Sequence, residues 1–142
     1  MDQSEIEARL RRIIESVARV RAKRPLSYEE LVGDSDKYLA TERDLQVAIE
    51  AAIDVGSDLL AKHSFRAAGG YREVFRLMGD AGILPRDFAA RIAPMGGFRN
   101  VLVHVYLEVD SRKVYQIIQH DVDDLETFAQ LVSAYIDRVG SD

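Results

Sequence analysis

The sequence predicts an all-α protein, an antiparallel helical bundle, and three observations predict it. Apolar residues recur at alternating spacings of three and four, the period of a helix with one buried stripe. The 9 glycines and 3 prolines are few enough to leave long stretches free of breakers. No stretch shows the strict apolar–polar alternation of a half-buried strand. A chain of 142 residues fits one domain, 1–142, and its 47% hydrophobic content supplies a core. Charged residues make up 30% and are mixed in sign, which argues against general disorder.

The elements follow in order. Ile6, Leu10, Ile13, Val17 and Val20 form the apolar stripe of a first helix, ended by Pro25. Arg9, Arg12, Arg19 and Lys23 cluster on another side of it. They read either as a solvated face or as a track for an RNA backbone. Ser27 and Glu30 have the spacing of a capping box and start a short helix that Gly33-Asp34-Ser35 interrupts. A long helix then runs from about Asp36 to His63, with Tyr38, Leu45, Ile49, Ala52, Ile53, Leu59 and Leu60 on its apolar face. Gly56 inside it suits a close helix crossing. Gly69-Gly70 is a turn, and Tyr71, Val74, Phe75 and Met78 make the next helix, which Gly82 closes. Pro85 opens another, with Asp87 beside it for the helix dipole. Pro94 and Gly96-Gly97 predict a kink there, with the helix resuming at Phe98. Asp110-Ser111-Arg112 is a turn, Val114 to His120 a short helix or turn, and Asp121 the cap of a last helix. Leu125, Phe128, Val132 and Tyr135 are the buried stripe of that helix. Short connections between such helices give the bundle.

Several function classes are excluded early. There is no cysteine, so disulfides and thiolate metal sites are out. No apolar run approaches the roughly 20 residues that span a bilayer, and the start, Met1-Asp2-Gln3-Ser4-Glu5, lacks a signal-peptide pattern. These absences point to the cytoplasm. No zinc-protease, phosphate-loop, nucleophile-elbow or dinucleotide fingerprint occurs. His63 and His120 look like helix-terminus residues and have no metal-ligand spacing with His104. Asp123-Asp124 sit where the dipole of the last helix would explain them. The net charge is -5, so any RNA contact must use a local basic patch.

The chemistry gathers in Arg99-Asn100-Val101-Leu102-Val103-His104-Val105-Tyr106. At about 100° per residue, Phe98, Val101, Leu102 and Val105 share an arc expected to face the core. Arg99, Asn100, Val103 and His104 take the opposite arc, with Tyr106 close beside Arg99. Asn100 and His104 are four apart, hence neighbours. A histidine can deprotonate a ribose 2′-hydroxyl or protonate a leaving 5′-oxygen. An arginine can grip the phosphate and stabilise its growing charge, and the asparagine can orient either. No metal or cofactor is needed. One histidine cannot easily be both acid and base, so a two-fold homodimer would supply the second set. On spacing alone, a lone Arg and His on a helix are more often surface or capping residues.

Arg99 to Tyr106 resembles the R-N-x-x-x-H-x-Y form of the Arg–His motif of the HEPN superfamily, as found in HepT toxins. Glu42-Arg43-Asp44-Leu45-Gln46 leading to Ile53-Asp54-Val55-Gly56, Tyr71-Arg72-Glu73-Val74-Phe75, Met95-Gly96-Gly97-Phe98 and Tyr106-Leu107-Glu108-Val109-Asp110 resemble that family in the same order. The resemblance covers nearly the whole chain. It implies a HEPN-fold helical-bundle dimer, the toxin of a type VII toxin–antitoxin pair. It implies a metal-independent endoribonuclease acting on tRNA or mRNA, with Arg99 and His104 catalytic and Asn100 supporting them. It further implies silencing by an MntA-like nucleotidyltransferase antitoxin that attaches AMP to Tyr106. Two other readings stand beside it. One is a non-catalytic HEPN module that serves a nucleotidyltransferase as substrate-binding subunit. The other is a helical interaction protein without chemistry.

Overall fold

A computed structural model describes residues 1–63, 70–103 and 110–140, with the side chain of Val103 excluded. Seven α-helices run through them: α1 (Gln3–Arg21), α2 (Tyr28–Gly33), α3 (Ser35–Lys62), α4 (Tyr71–Asp80), α5 (Arg86–Val103), α6 (Ser111–Gln116) and α7 (Val122–Gly140). A π-helical turn, Ile117–Asp121, joins α6 to α7. No strand occurs among the described residues. α1 packs against α3 and α7, α4 against α5, and α3 touches α4, α5 and α7.

The first helix forms as its pattern predicts. Ile6, Leu10, Ile13, Val17 and Val20 are all buried. Asp2 caps it by accepting from the Glu5 N–H, while the Glu5 carboxylate accepts from the Asp2 N–H. The Ser27–Glu30 capping box of α2 is present in both directions. Asp34 caps α3, accepting from the Lys37 N–H. Gly82, at φ +78°, closes α4, with the Ile83 N–H reaching back to the Met78 carbonyl. Gly70, at φ +94°, precedes α4, and its neighbour Gly69 lies outside the described residues.

Three glycines let the middle helices approach closely. A Cβ on Gly56 would lie 2.8 Å from both Met78 Sδ and Val74 Cγ1, which is the crossing of α3 and α4 anticipated above. One on Gly79 would lie 2.8 Å from Ala89 Cβ, fixing α4 on α5. One on Gly96 would lie 2.5 Å from the backbone carbon and oxygen of Tyr71. There α5 lies directly on the first turn of α4, an approach that only glycine permits.

Two expectations, at Asp121 and at Asp123-Asp124, are corrected, while α5 runs as one helix from Arg86 through Pro94 to Val103 and so continues into the motif as expected. Pro94 and Ala90, whose carbonyl the proline cannot serve, are both exposed, so water can take that carbonyl. Asp121 does not cap the last helix, because α6, the π turn and α7 follow one another without a break. The π turn and the end of α6 are stitched to the loop between α1 and α2: the Arg24 guanidinium donates to the Ile118 carbonyl, the Gln119 amide to the Arg24 carbonyl, and the Tyr115 hydroxyl to the Leu26 carbonyl. The first of these satisfies a carbonyl of the π turn itself. Asp123 and Asp124 therefore sit at no free helix start. Asp123 instead pairs with Arg21 and Arg24, and Asp124 with Arg91.

Candidate active site

α5 carries the first two residues of the motif, Arg99 and Asn100. His104 and Tyr106 lie outside the described residues. The expected wheel needs rotating. At about 100° per residue, Arg99 falls within about 20° of buried Ile92, while Val101 lies about 180° from it. Val101 accordingly is 37% exposed rather than in the core, and Phe98 and the partly buried Leu102 pack inward. Arg99 points toward α3 and α4 and is half-buried, whereas Asn100 is exposed. The glycine seam produces this rotation: where Gly96 lies on α4, the residue one turn further along the same face meets whatever the start of α4 presents.

What it meets is Tyr71 and Glu50. The guanidinium carbon of Arg99 sits 4.7 Å from the centre of the Tyr71 ring, a cation–π contact. Its Nε lies 3.6 Å from Glu50 Oε1 on α3, an ion pair rather than a hydrogen bond. The same Glu50 oxygen accepts from the Gln46 amide at 3.0 Å. Glu50, Ile53, Asp54, Tyr71 and Arg99 line a cavity of about 80 Å³. The Arg72 side chain crosses the face of α5 at Gly97, its Nε 3.1 Å from where a Cβ would stand. The Arg99–Glu50 pair, only partly buried, is worth roughly 0–1 kcal/mol to stability. The contacts matter more for where they leave the guanidinium: anchored on one side, with part of its surface open to solvent.

The four basic residues expected on the first helix separate, and Lys23 lies just past the end of α1. Arg19 is taken up by Asp44, Nε to Oδ1 at 2.9 Å, and by the Ser16 hydroxyl. Lys23 lies 3.5 Å from the Arg19 carbonyl. Arg9 and Arg12 share with Arg43 a groove of about 280 Å³ between α1 and α3, and that groove also contains Glu50 and Asp54. Its wall thus runs on into the Arg99 cavity. Residue spacing could not reveal this continuity, because Arg43, Glu50 and Tyr71 come from other helices. His63 hydrogen-bonds the Tyr135 hydroxyl at the end of α3. His120 opens on a separate groove of about 480 Å³ beside Phe98 and Arg91. Neither histidine joins Arg99.

The sequence pattern described as "Ribonuclease HepT-like" matches residues 10–132, which includes the whole of Arg99–Tyr106. The chain belongs to the HepT-like ribonuclease family. Among its relatives, the tRNA nuclease HepT of Aphanizomenon flos-aquae is 29% identical over 131 residues, covering 92% of this chain and 89% of the relative. The mRNA nuclease HepT of Shewanella oneidensis is 26% identical over 91 residues, 64% of this chain and 68% of that one. The fold matches the tri-AMPylated HEPN toxin of Shewanella oneidensis, solved in complex with MNT antitoxin, at a TM-score of 0.80 and 22% identity, covering 94% and 99% of the two chains. It also matches the Bacillus subtilis cytosolic protein YutE, at 0.83 and 22% identity, covering 98% and 93%. The HepT-like assignment makes the bundle a HEPN fold. No helix among the described residues is long and apolar enough to cross a membrane.

Proposed function

We propose that this HepT-like chain is the ribonuclease toxin of a toxin–antitoxin pair, working in the cytoplasm on tRNA or mRNA. The observation that carries the reading is a family match that runs through the intact motif, on a fold that leaves Arg99 anchored and partly open. Arg99 binds the scissile phosphate and stabilises the charge that grows on its oxygens. His104 takes the proton of the 2′-hydroxyl; the 2′-oxygen attacks phosphorus as the P–O5′ bond breaks. The departing 5′-oxygen needs a proton in the same step. The matching histidine of a second copy supplies it in a two-fold homodimer. Asn100, exposed one residue on, orients the phosphate or the imidazole. Arg9 and Arg12, with Arg43, are candidates for backbone contacts. Arg19 and Lys23 serve the fold or solvent more than RNA.

Regulation follows from the same motif. An MntA-like nucleotidyltransferase attaches AMP to Tyr106, adding bulk and negative phosphate beside the arginine meant for RNA. Support comes from the relative solved with AMP on the toxin and antitoxin bound. The experiment is RNA cleavage by purified protein in chelator. Wild type is expected to cleave, and His104→Ala to lose cleavage with its helical circular dichroism intact. Tyr106→Phe is expected to cleave but to escape silencing by the transferase with ATP. Full activity in His104→Ala would defeat the mechanism, and loss of wild-type cleavage in chelator would replace it with a metal-dependent one.

A further inference from the structure

We propose that Glu50, with Tyr71, is a positioning residue that sets the aim of Arg99. The proposal rests on the ribonuclease reading for its chemistry and on the geometry of three helices for its substance. Glu50 stands on α3, Tyr71 opens α4 and Arg99 is on α5, so no stretch of sequence places them together.

A carboxylate beside a phosphate-binding arginine needs an explanation. By charge alone, Glu50 repels a polyanion and weakens the pull of Arg99 on it. Three features make it an orienting contact. Its Oε1 is itself held by the Gln46 amide at 3.0 Å, so the carboxylate does not swing freely. It faces Nε of Arg99, leaving the two terminal nitrogens as the fork that grips a phosphate. The Tyr71 ring, 4.7 Å from the guanidinium carbon, backs the plane of that fork. Tyr71 in turn cannot drift, because Gly96 lies against its backbone. A guanidinium constrained at its Nε and on one face presents its free edge in one direction, which is the preorganisation a transition state rewards.

Orientation and charge predict opposite signs, which makes the proposal testable. Removing the carboxylate should leave RNA binding unchanged or tighter at low salt, yet slow cleavage. In Glu50→Ala we expect kcat to fall between about tenfold and a hundredfold, the scale of a misplaced catalytic group. RNA affinity, measured in the His104→Ala background, should not fall. Glu50→Asp keeps the charge but not the reach, and should recover little of kcat; full recovery would show that the reach of the carboxylate does not matter and would overturn the proposal. Tyr71→Leu should lose more than Tyr71→Phe, which keeps the ring. A second readout does not need activity: the Nε–H resonance of Arg99, assigned by its absence in Arg99→Lys, should be sharp in wild type and broadened or lost in Glu50→Ala. Should Glu50→Ala fail to fold, the isosteric Glu50→Gln carries the same measurements. An unchanged or raised kcat in a folded Glu50 variant overturns the proposal. So does a fall in kcat matched by an equal fall in RNA affinity. A wild-type chain that cleaves no RNA overturns the ribonuclease reading instead; the Arg99 resonance then decides the positioning, and its persistence in Glu50→Ala would overturn that too.

Discussion

α1 and α5 are nearly the same length, 19 and 18 residues, yet they join the bundle in opposite ways. α1 buries a seam of large aliphatic side chains, is capped by Asp2, and keeps its charges on the outside. α5 contacts its neighbours partly through bare backbone: Gly96 lies on the start of α4, and Gly79 of α4 admits Ala89. A side-chain seam tolerates adjustment, since rotamers can repack. A backbone contact fixes two helices at one register and leaves no slack. The helix that carries Arg99 is the one whose placement is set by backbone contact, so the guanidinium is delivered to Glu50 and Tyr71 at a defined position.

That contrast can be broken by experiment, beginning with the largest effect. Ile13 is fully buried in the α1 seam. Ile13→Ala should cost about 2–5 kcal/mol in denaturant unfolding, with the cleavage rate per folded molecule unchanged. A fall in that rate beyond a few-fold would show that the seam, too, feeds the site. Gly96→Ala should cost about 1–3 kcal/mol or more from overpacking, and here cleavage should fall along with stability, because Tyr71 and Arg99 are pushed apart. Stability lost without activity would separate the backbone contact from the site. The smallest effect is expected at Asp123, on α7. The hydrogen bond from Arg21, with help from Arg24, holds its carboxyl below the ordinary value against the opposing effect of burial. A lowered folded pKa gives stability that is present above the unfolded value of about 3.9 and lost as pH falls through the folded one. Wild type should therefore exceed Asp123→Asn in stability at neutral pH, and the gap should close below about pH 4. Asp123 is half exposed, so the gap should be small. A gap that persists in acid would assign the difference to packing rather than to charge.

How much of this was legible in the sequence tracks the same contrast. The stripes of α1 and α7, both Ser27–Glu30 bonds and the crossing at Gly56 follow from spacing, because periodicity and capping are local. The rotation of Arg99 was misread because the wheel weighed only apolar side chains. Gly96 has none, yet its face is among the most closely packed on α5. Pro94 and Gly96-Gly97 are poor helix formers by propensity, yet α5 continues through all three as tertiary packing holds it. The π turn escaped because the Ile118 carbonyl within it is satisfied by Arg24, more than ninety residues away in sequence. Asp123 and Asp124 were assigned to a helix dipole when Arg21, Arg24 and Arg91 hold them. Glu50 and Tyr71 carried no signal as site residues on their own. Tyr71 nevertheless falls in a segment that resembles HepT toxins, and Glu50 lies between two such segments.

In the proposed mechanism a constrained, forked guanidinium at Arg99 binds and stabilises the reacting phosphate. The most direct test is single-turnover RNA cleavage by Arg99→Lys in chelator. The substitution keeps the positive charge and loses the fork. The account predicts a loss of at least about a hundredfold, the scale of one removed charge-stabilising donor, with the melting temperature close to wild type. Cleavage at the wild-type rate by Arg99→Lys would contradict it.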